Sequence, residues 1–386
     1  MKKNYQLVAT AASGIEALVG NELKDLGYTV QVENGKAFFQ GGNADIVKTN
    51  LWLRTADRVK IVFGTFNAKT FDDLFEQTKA LPWEDILPMD AAFPVSGKSH
   101  KSTLYSVPDC QAIVKKAIVN RLSDFYHRRN RLPETGAEYP IEVAILKDEV
   151  SITIDTTGSS LFKRGYRTEK GGAPMKENMA AALVKLTNWY PDKPFYDPTC
   201  GSGTIVIEAA MIGLNIAPGL NREFMAEKWN IFQDNEWQTY RNEAKLAADY
   251  SKELDIEGSD IDGRMIEIAK RNAEKAGVED FVSFKQMQLK DFTTEKEYGV
   301  IVSNPPYGER MDDQESVERL YKEMGDVFRP LETWSKYIIT SDLLFEEFYG
   351  QRATKKRKLY NGRLRTDYFQ YWGKRAPRKP RDVESN

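Results

Sequence analysis

Cysteine and histidine are scarce: Cys110 and Cys200, His100 and His127 are all there is in 386 residues. Two thiols exclude a disulfide framework and fit a reducing compartment. So few imidazoles exclude a Cys/His zinc cluster and disfavour His-dependent nucleophilic triads, so the expected metal content is none. Long apolar runs are missing too. No stretch reaches about 18 consecutive apolar residues, and MKKNYQLVATAASGIEALV lacks the apolar core of a signal peptide. The reading is a soluble cytoplasmic protein without a membrane span. An excess of one charge is also absent: 55 Lys+Arg stand against 57 Asp+Glu, a net charge of −2. That excludes a globally basic nucleic-acid binder and leaves local basic patches open. What is present is globular, with 41% hydrophobic and 29% charged residues. At roughly 100–200 residues per domain, the length predicts two or three domains.

Pattern divides the chain. Residues 4–10 alternate like a strand, 13–27 carry Ile15, Leu18, Val19, Leu23 and Leu26 at helical spacing, and 28–40 return to strand around Asn34-Gly35. With a further apolar segment at 46–53 and the strand VKIVFGTF, residues 1–67 read as a small α+β domain. Residues 68–167 form a second unit: a helix, FPVSGKS, the helical CQAIVKKAIVNRLSDFYHRR, then two strands joined by the polar turn Lys147-Asp148-Glu149. From 168 to 386 strands and helices alternate, which predicts a parallel, doubly wound sheet with ligands at the carboxyl ends of its strands. A polar helical insertion, roughly Asn221–Lys252, interrupts that series. KKRKLY and RTDYFQYW flank Asn361-Gly362, so the sheet is expected to finish in an antiparallel hairpin.

Three strand ends carry chemistry. Asp197-Pro198-Thr199-Cys200-Gly201-Ser202-Gly203-Thr204 lies between a strand and a helix, where glycines let the backbone approach a ligand and the helix offers free N–H groups. A phosphate-binding P-loop would need lysine after the last glycine. A dinucleotide fingerprint would need glycine or alanine where Val206 stands. A plain tight turn is the structural alternative. At the next strand end, Asp260 can accept ribose hydroxyls, while Asp262 is placed to cap the following helix. Asn304-Pro305-Pro306-Tyr307 follows the strand VIVSN. Two prolines remove N–H donors and leave a cluster of acceptors beside an aromatic ring, the complement of a nucleobase amino group. A rigid turn with a surface tyrosine is the bland alternative.

Together these segments resemble motifs I, II and IV of class I S-adenosylmethionine-dependent methyltransferases that modify amino groups. The N-terminal half resembles a ferredoxin-like domain followed by a THUMP RNA-binding domain, closing in Leu161-Phe162-Lys163-Arg164-Gly165-Tyr166-Arg167. Over nearly its whole length the chain is similar to the bacterial THUMP-containing rRNA guanine-N2 methyltransferase group. The resemblance implies a Rossmann-like methyltransferase sheet for 168–386. It implies S-adenosylmethionine held by Asp197, Thr199, Cys200, Gly201, Ser202, Gly203, Thr204, Asp260, Ile261 and Gln288, and base binding by Asn304, Pro305, Pro306 and Tyr307. Gln288 stands where the family often has an acid, with Asp291 as the alternative. Mechanism then needs no histidine: hydrogen bonds from the base amino group to Asn304 and the Pro305 carbonyl direct its lone pair, and the proton leaves after transfer. If the target is paired, the base has to be flipped out.

RNA contacts are expected from Lys98, His100, Lys101, Arg164 and Arg167, and from the basic segment Arg352–Arg381 with Tyr360, Tyr368, Tyr371 and Trp372 interleaved. The partner implied is 23S rRNA or a ribosome-assembly intermediate. Rival functions are an adenine-N6 methyltransferase, since NPPY is shared with such enzymes, and a non-catalytic RNA-binding or assembly protein. The sequence leaves oligomeric state open.

Overall fold

The computed structural model describes residues 4–129, 131–167, 175–307, 311–362 and 364–377. The chain forms two compact units, one of residues 1–164 with 217–247, the other of residues 165–216 with 248–386.

In the first unit the elements are β1 (Tyr5–Thr10), α1 (Glu16–Asp25), β2 (Gln31–Glu33), β3 (Lys36–Gly41), α2 (Asn43–Trp52), β4 (Arg58–Asn67), α3 (Phe71–Lys79), β5 (Val95–His100), α4 (Val107–Phe125), β6 (Ile141–Leu146) and β7 (Glu149–Asp155). All seven strands share one sheet in the order β2-β3-β1-β4-β7-β6-β5. The ferredoxin-like and THUMP segments read as separate domains therefore meet in it, through antiparallel pairing of β4 with β7. Lys147 and Asp148 both take positive φ between Leu146 and Glu149, the backbone of a two-residue hairpin turn. Strand β5 ends the sheet, and its alternation leaves Ser96, Lys98 and His100 exposed on one face.

The insertion departs from its place in the sequence. Residues 217–247, which chain order assigns to the catalytic domain, belong to the first unit. The reason is apolar burial: Phe224, Ala226, Trp229 and Trp237 join that unit's core. Trp229 stacks on Tyr139 at a centroid distance of 4.6 Å, and its Nε1 donates to the Glu138 carbonyl at 2.8 Å.

The second unit comprises α5 (Glu177–Lys185), β8 (Phe195–Asp197), α6 (Thr204–Gly213), β9 (Ile256–Asp260), α8 (Gly263–Ala276), β10 (Ser283–Gln286), β11 (Val300–Ser303), α9 (Met311–Phe328), β12 (Ser335–Thr340), α10 (Phe345–Tyr349), β13 (Lys355–Asn361) and β14 (Leu364–Tyr371); α7 (Glu236–Leu246) is the insertion helix of the first. Its sheet runs β10-β9-β8-β11-β12-β14-β13. β8 to β12 pair in parallel, and β14 and β13 add antiparallel, so the doubly wound sheet closed by a hairpin is as the sequence predicts. Gly362 takes φ 66 in the hairpin turn. The parallel strands bring Asp197, Asp260, Gln286, Ser303 and Thr340 to one carboxyl edge. Among the described residues no helix is long and apolar enough to cross a membrane.

Candidate active site

Strand order places β8 between β9 and β11, so the loops after these three strands are neighbours. The glycine turn after β8 is tied to both. Cys200 N–H donates to the Ser259 carbonyl at 2.9 Å, and Gly201 N–H to Asp260 Oδ2 at 2.9 Å. Thr199 Oγ1 meets Ser303 Oγ at 2.9 Å, which joins this turn to the residue before Asn304. Sequence reasoning missed Ser303 and Ser259, because a serine inside an apolar strand has no local signal of its role.

Gly203 caps α6 with φ 80, and a Cβ there would lie 2.9 Å from both Ala269 and the Phe284 ring. Its smallness serves helix–strand packing. Gly201 differs: at φ 51, the nearest atom to an added Cβ is Met265 Cε at 3.8 Å, so the turn is open on that side. Asp197 is 1% exposed, and Oδ1 accepts the Thr199 N–H at 3.1 Å. Burial, reinforced by the Asp260 charge, pushes its carboxyl well above the usual range. Burial likewise raises the Cys200 thiol, which is a small packed residue of the turn.

Asp260 accepts one backbone N–H on each oxygen, from Gly201 and from Asp262 at 2.9 Å each, which orients the carboxylate and leaves lone pairs for hydroxyl donors. Asp262 caps α8 by accepting the Arg264 N–H at 2.9 Å, the structural role the sequence predicts. Ile261 is 69% exposed beside Asp260, an apolar face next to the hydroxyl acceptors. Gln288 is exposed after β10, and its carbonyl accepts the Asp291 N–H at 3.0 Å. The exposed Ile261 side chain, hydroxyl acceptors and an open glycine turn on one sheet edge fit the adenosyl group that the resemblance implies. Ser202 and Thr204 hydroxyls are 3.4 Å apart at the start of α6.

At Asn304 the side-chain acceptor is engaged: the Tyr307 hydroxyl donates to Asn304 Oδ1 at 2.5 Å. Pro305 is buried and Pro306 exposed. Burial raises the Tyr307 phenol, with the Tyr321 phenol adding to the shift. The Tyr307 hydroxyl thus occupies one lone pair of Asn304 Oδ1.

The arginines of the segment after β7 require correction. Arg164 is 2% exposed, and its guanidinium donates to the Leu161 and Arg54 carbonyls, so it braces the first unit and presents nothing to a phosphate. Arg167, in the second unit, donates to Thr204 Oγ1 and to the Met175 carbonyl at 3.1 Å and pairs with Glu177 at 3.6 Å. It clamps the start of α6. Tyr368 and Tyr371 are buried in the second unit, which removes them as base-stacking rings, whereas Trp372 remains exposed. Lys98 and Lys101 are exposed, with Lys98 paired to Glu142 at 3.0 Å. Residues 378–381 of the basic tail lie outside the described residues.

Comparison with known proteins is consistent with this geometry. The RMKL-like methyltransferase domain matches residues 164–370, the RlmL ferredoxin-like domain residues 6–60 and the THUMP domain residues 68–155. A Bacillus subtilis (strain 168) protein provisionally named RNA methyltransferase YpsC is 57% identical, over 98% of this chain and 98% of that protein. The ribosomal RNA large subunit methyltransferase K/L of Psychromonas ingrahamii is 34% identical over 96% of this chain, which spans only 50% of that longer relative. A Listeria monocytogenes crystal structure, described as a predicted N6-adenine-specific DNA methylase, superposes with a TM-score of 0.93 at 63% identity, covering 96% of this chain and 97% of that one. SMU.472, provisionally called a methyltransferase and crystallised with SAH, gives 0.93 at 56% identity over 98% of this chain and 100% of that one.

Proposed function

The chain belongs to the RMKL-like methyltransferase family, and we propose that this S-adenosylmethionine-dependent RNA methyltransferase modifies the exocyclic amino group (N2) of a guanine in 23S rRNA. The observation that carries the reading is the Thr199–Ser303 hydroxyl pair, which sets the open glycine turn beside the Asn304 acceptor. When bound, S-adenosylmethionine supplies an electrophilic methyl group. The chain's own residues do the rest. Asp260 would hold the ribose hydroxyls, Ile261 one face of the adenine, and Gln288 its amino group. Asn304 Oδ1 and the Pro305 carbonyl accept the hydrogens of the base amino group and aim its lone pair. Tyr307, displaced from Asn304 by the arriving base, stacks on it. The amine becomes strongly acidic after transfer, so its proton passes to water without a dedicated base.

The ribosomal RNA name of the K/L relatives and the THUMP match favour rRNA as the partner, with the exposed Lys98, His100 and Lys101 of β5 and its following turn as phosphate contacts. The Asn-Pro-Pro-Tyr segment and the description of the Listeria structure favour adenine N6 as a second reading. Mass spectrometry of rRNA nucleosides from a deletion strain separates them. Loss of one N2-methylguanosine, restored by the purified chain with labelled S-adenosylmethionine, is expected. Loss of N6-methyladenosine, or no loss at all, overturns the guanine assignment.

A further inference from the structure

Asp342 follows the carboxyl end of β12 by two residues. Its N–H donates to Thr340 Oγ1 at 3.1 Å, and Thr340 Oγ1 meets the Tyr321 hydroxyl at 2.8 Å. That hydroxyl donates to the Pro306 carbonyl at 3.4 Å. Two enclosed hydroxyls therefore connect Asp342 to the Asn304–Tyr307 segment. Asp342 Oδ1 accepts the Leu344 N–H at 2.8 Å, whereas Oδ2 is enclosed and has no hydrogen-bond partner among the described residues. A carboxylate oxygen out of water without a donor is unfavourable, and a donor brought to it would relieve that cost. Burial raises the Tyr321 phenol to about 12, and the Asp342 charge contributes; the Tyr307 phenol is in turn raised partly by Tyr321. Asp342, Tyr321 and Tyr307 thus act on one another electrostatically at one end of the sheet.

We propose that Asp342 is a specificity-determining residue: its Oδ2 accepts the N1–H of the guanine whose amino group lies on Asn304. The inference rests on the guanine reading above and deepens it. Guanine offers two adjacent donors on its Watson–Crick edge, N1–H and the 2-amino group. Adenine offers its 6-amino group beside N1, which is an acceptor. An acceptor for each donor, Asn304 Oδ1 for the amino group and Asp342 Oδ2 for N1–H, would complement guanine and set a lone pair against the N1 of adenine. A site built around such a hydrogen bond rejects a base that lacks the donor, because its own buried group is then left unpaired. The Tyr307 hydroxyl donates to Asn304 Oδ1, so the arriving amino group competes with that phenol for the acceptor.

The test uses the full chain and the rRNA segment whose guanosine loses its methyl group in the deletion strain, made with guanosine or 2-aminopurine at that position. 2-Aminopurine keeps the 2-amino group and replaces N1–H by a lone pair. In single-turnover transfer the unsubstituted enzyme is expected to prefer guanosine by at least about tenfold. Asp342→Asn keeps an oxygen for the Leu344 amide and puts a donor at Oδ2; Asp342→Ala removes both oxygens. Both are expected to lose most of the preference by slowing on guanosine and not on 2-aminopurine, with S-adenosylmethionine affinity unchanged by calorimetry. The preference retained in either variant that still binds S-adenosylmethionine overturns the role of Asp342 and leaves the guanine reading standing. Transfer by the unsubstituted enzyme to an adenosine-containing target, and not to guanosine, overturns the guanine reading itself.

Discussion

A single hydrogen bond, Tyr307 hydroxyl to Asn304 Oδ1, makes two side chains of one motif separable by experiment. Asn304→Ala removes the acceptor that aims the base. Loss of one positioned hydrogen bond in a water-poor site lowers the transfer rate by about 10²–10³, and calorimetric affinity for S-adenosylmethionine should stay as it was. Tyr307→Phe acts in the opposite sense. The ring remains for stacking, but the phenol no longer competes for Asn304, a bond worth about 1 kcal/mol. The RNA concentration at half-maximal single-turnover rate should therefore fall, by about fivefold, with the maximal rate unchanged; a rise would show that the hydroxyl helps to hold the base. Burial raises both the Tyr307 phenol and the Cys200 thiol, and a raised acid stays neutral as pH climbs through its ordinary range. A pH–rate profile up to about 9 should show no limb from either group.

Among elements, the insertion carrying α7 is decided by its tryptophans. Trp229 combines a stacked ring with a satisfied Nε1 inside the first unit, and Trp237 packs on Phe224 at a centroid distance of 5.3 Å. Trp229→Ala should destabilise that unit by about 3–5 kcal/mol, seen as a lower urea midpoint for the transition that exposes it. An unchanged midpoint would mean that the insertion adds no stability where it packs. Strand β13 shows a different economy: Lys355, Lys356 and Lys358 line the last strand of its sheet, where charge discourages pairing with another chain.

For the whole molecule, a net charge of −2 means that RNA affinity must come from local cationic groups. The burial of Arg164 narrows those groups to exposed ones such as Lys98 and Lys101. Replacing both with alanine should weaken RNA binding and reduce the slope of log affinity against log salt by about 0.7–0.9 for each phosphate no longer neutralised. A slope equal to that of the parent chain would make them ordinary solvated residues of an edge strand and turn.

Local pattern was enough to determine the alternation of strands and helices, the hairpin at Asn361-Gly362 and the three motifs at strand ends. Glycine, proline and hydrophobic period act on the backbone within a few residues, so their effects are written where they occur. The resemblance carried by those motifs reached the methyltransferase family for the same reason. Tertiary structure alone decided which unit receives residues 217–247, that Arg164 and Arg167 are internal braces, and that Tyr368 and Tyr371 are core residues. It also decided the pairing of Thr199 with Ser303 across 104 positions and left one oxygen of Asp342 without a partner among the described residues. Each depends on what a side chain meets after distant segments pack, and burial there sets whether a charge faces water, a carbonyl or nothing.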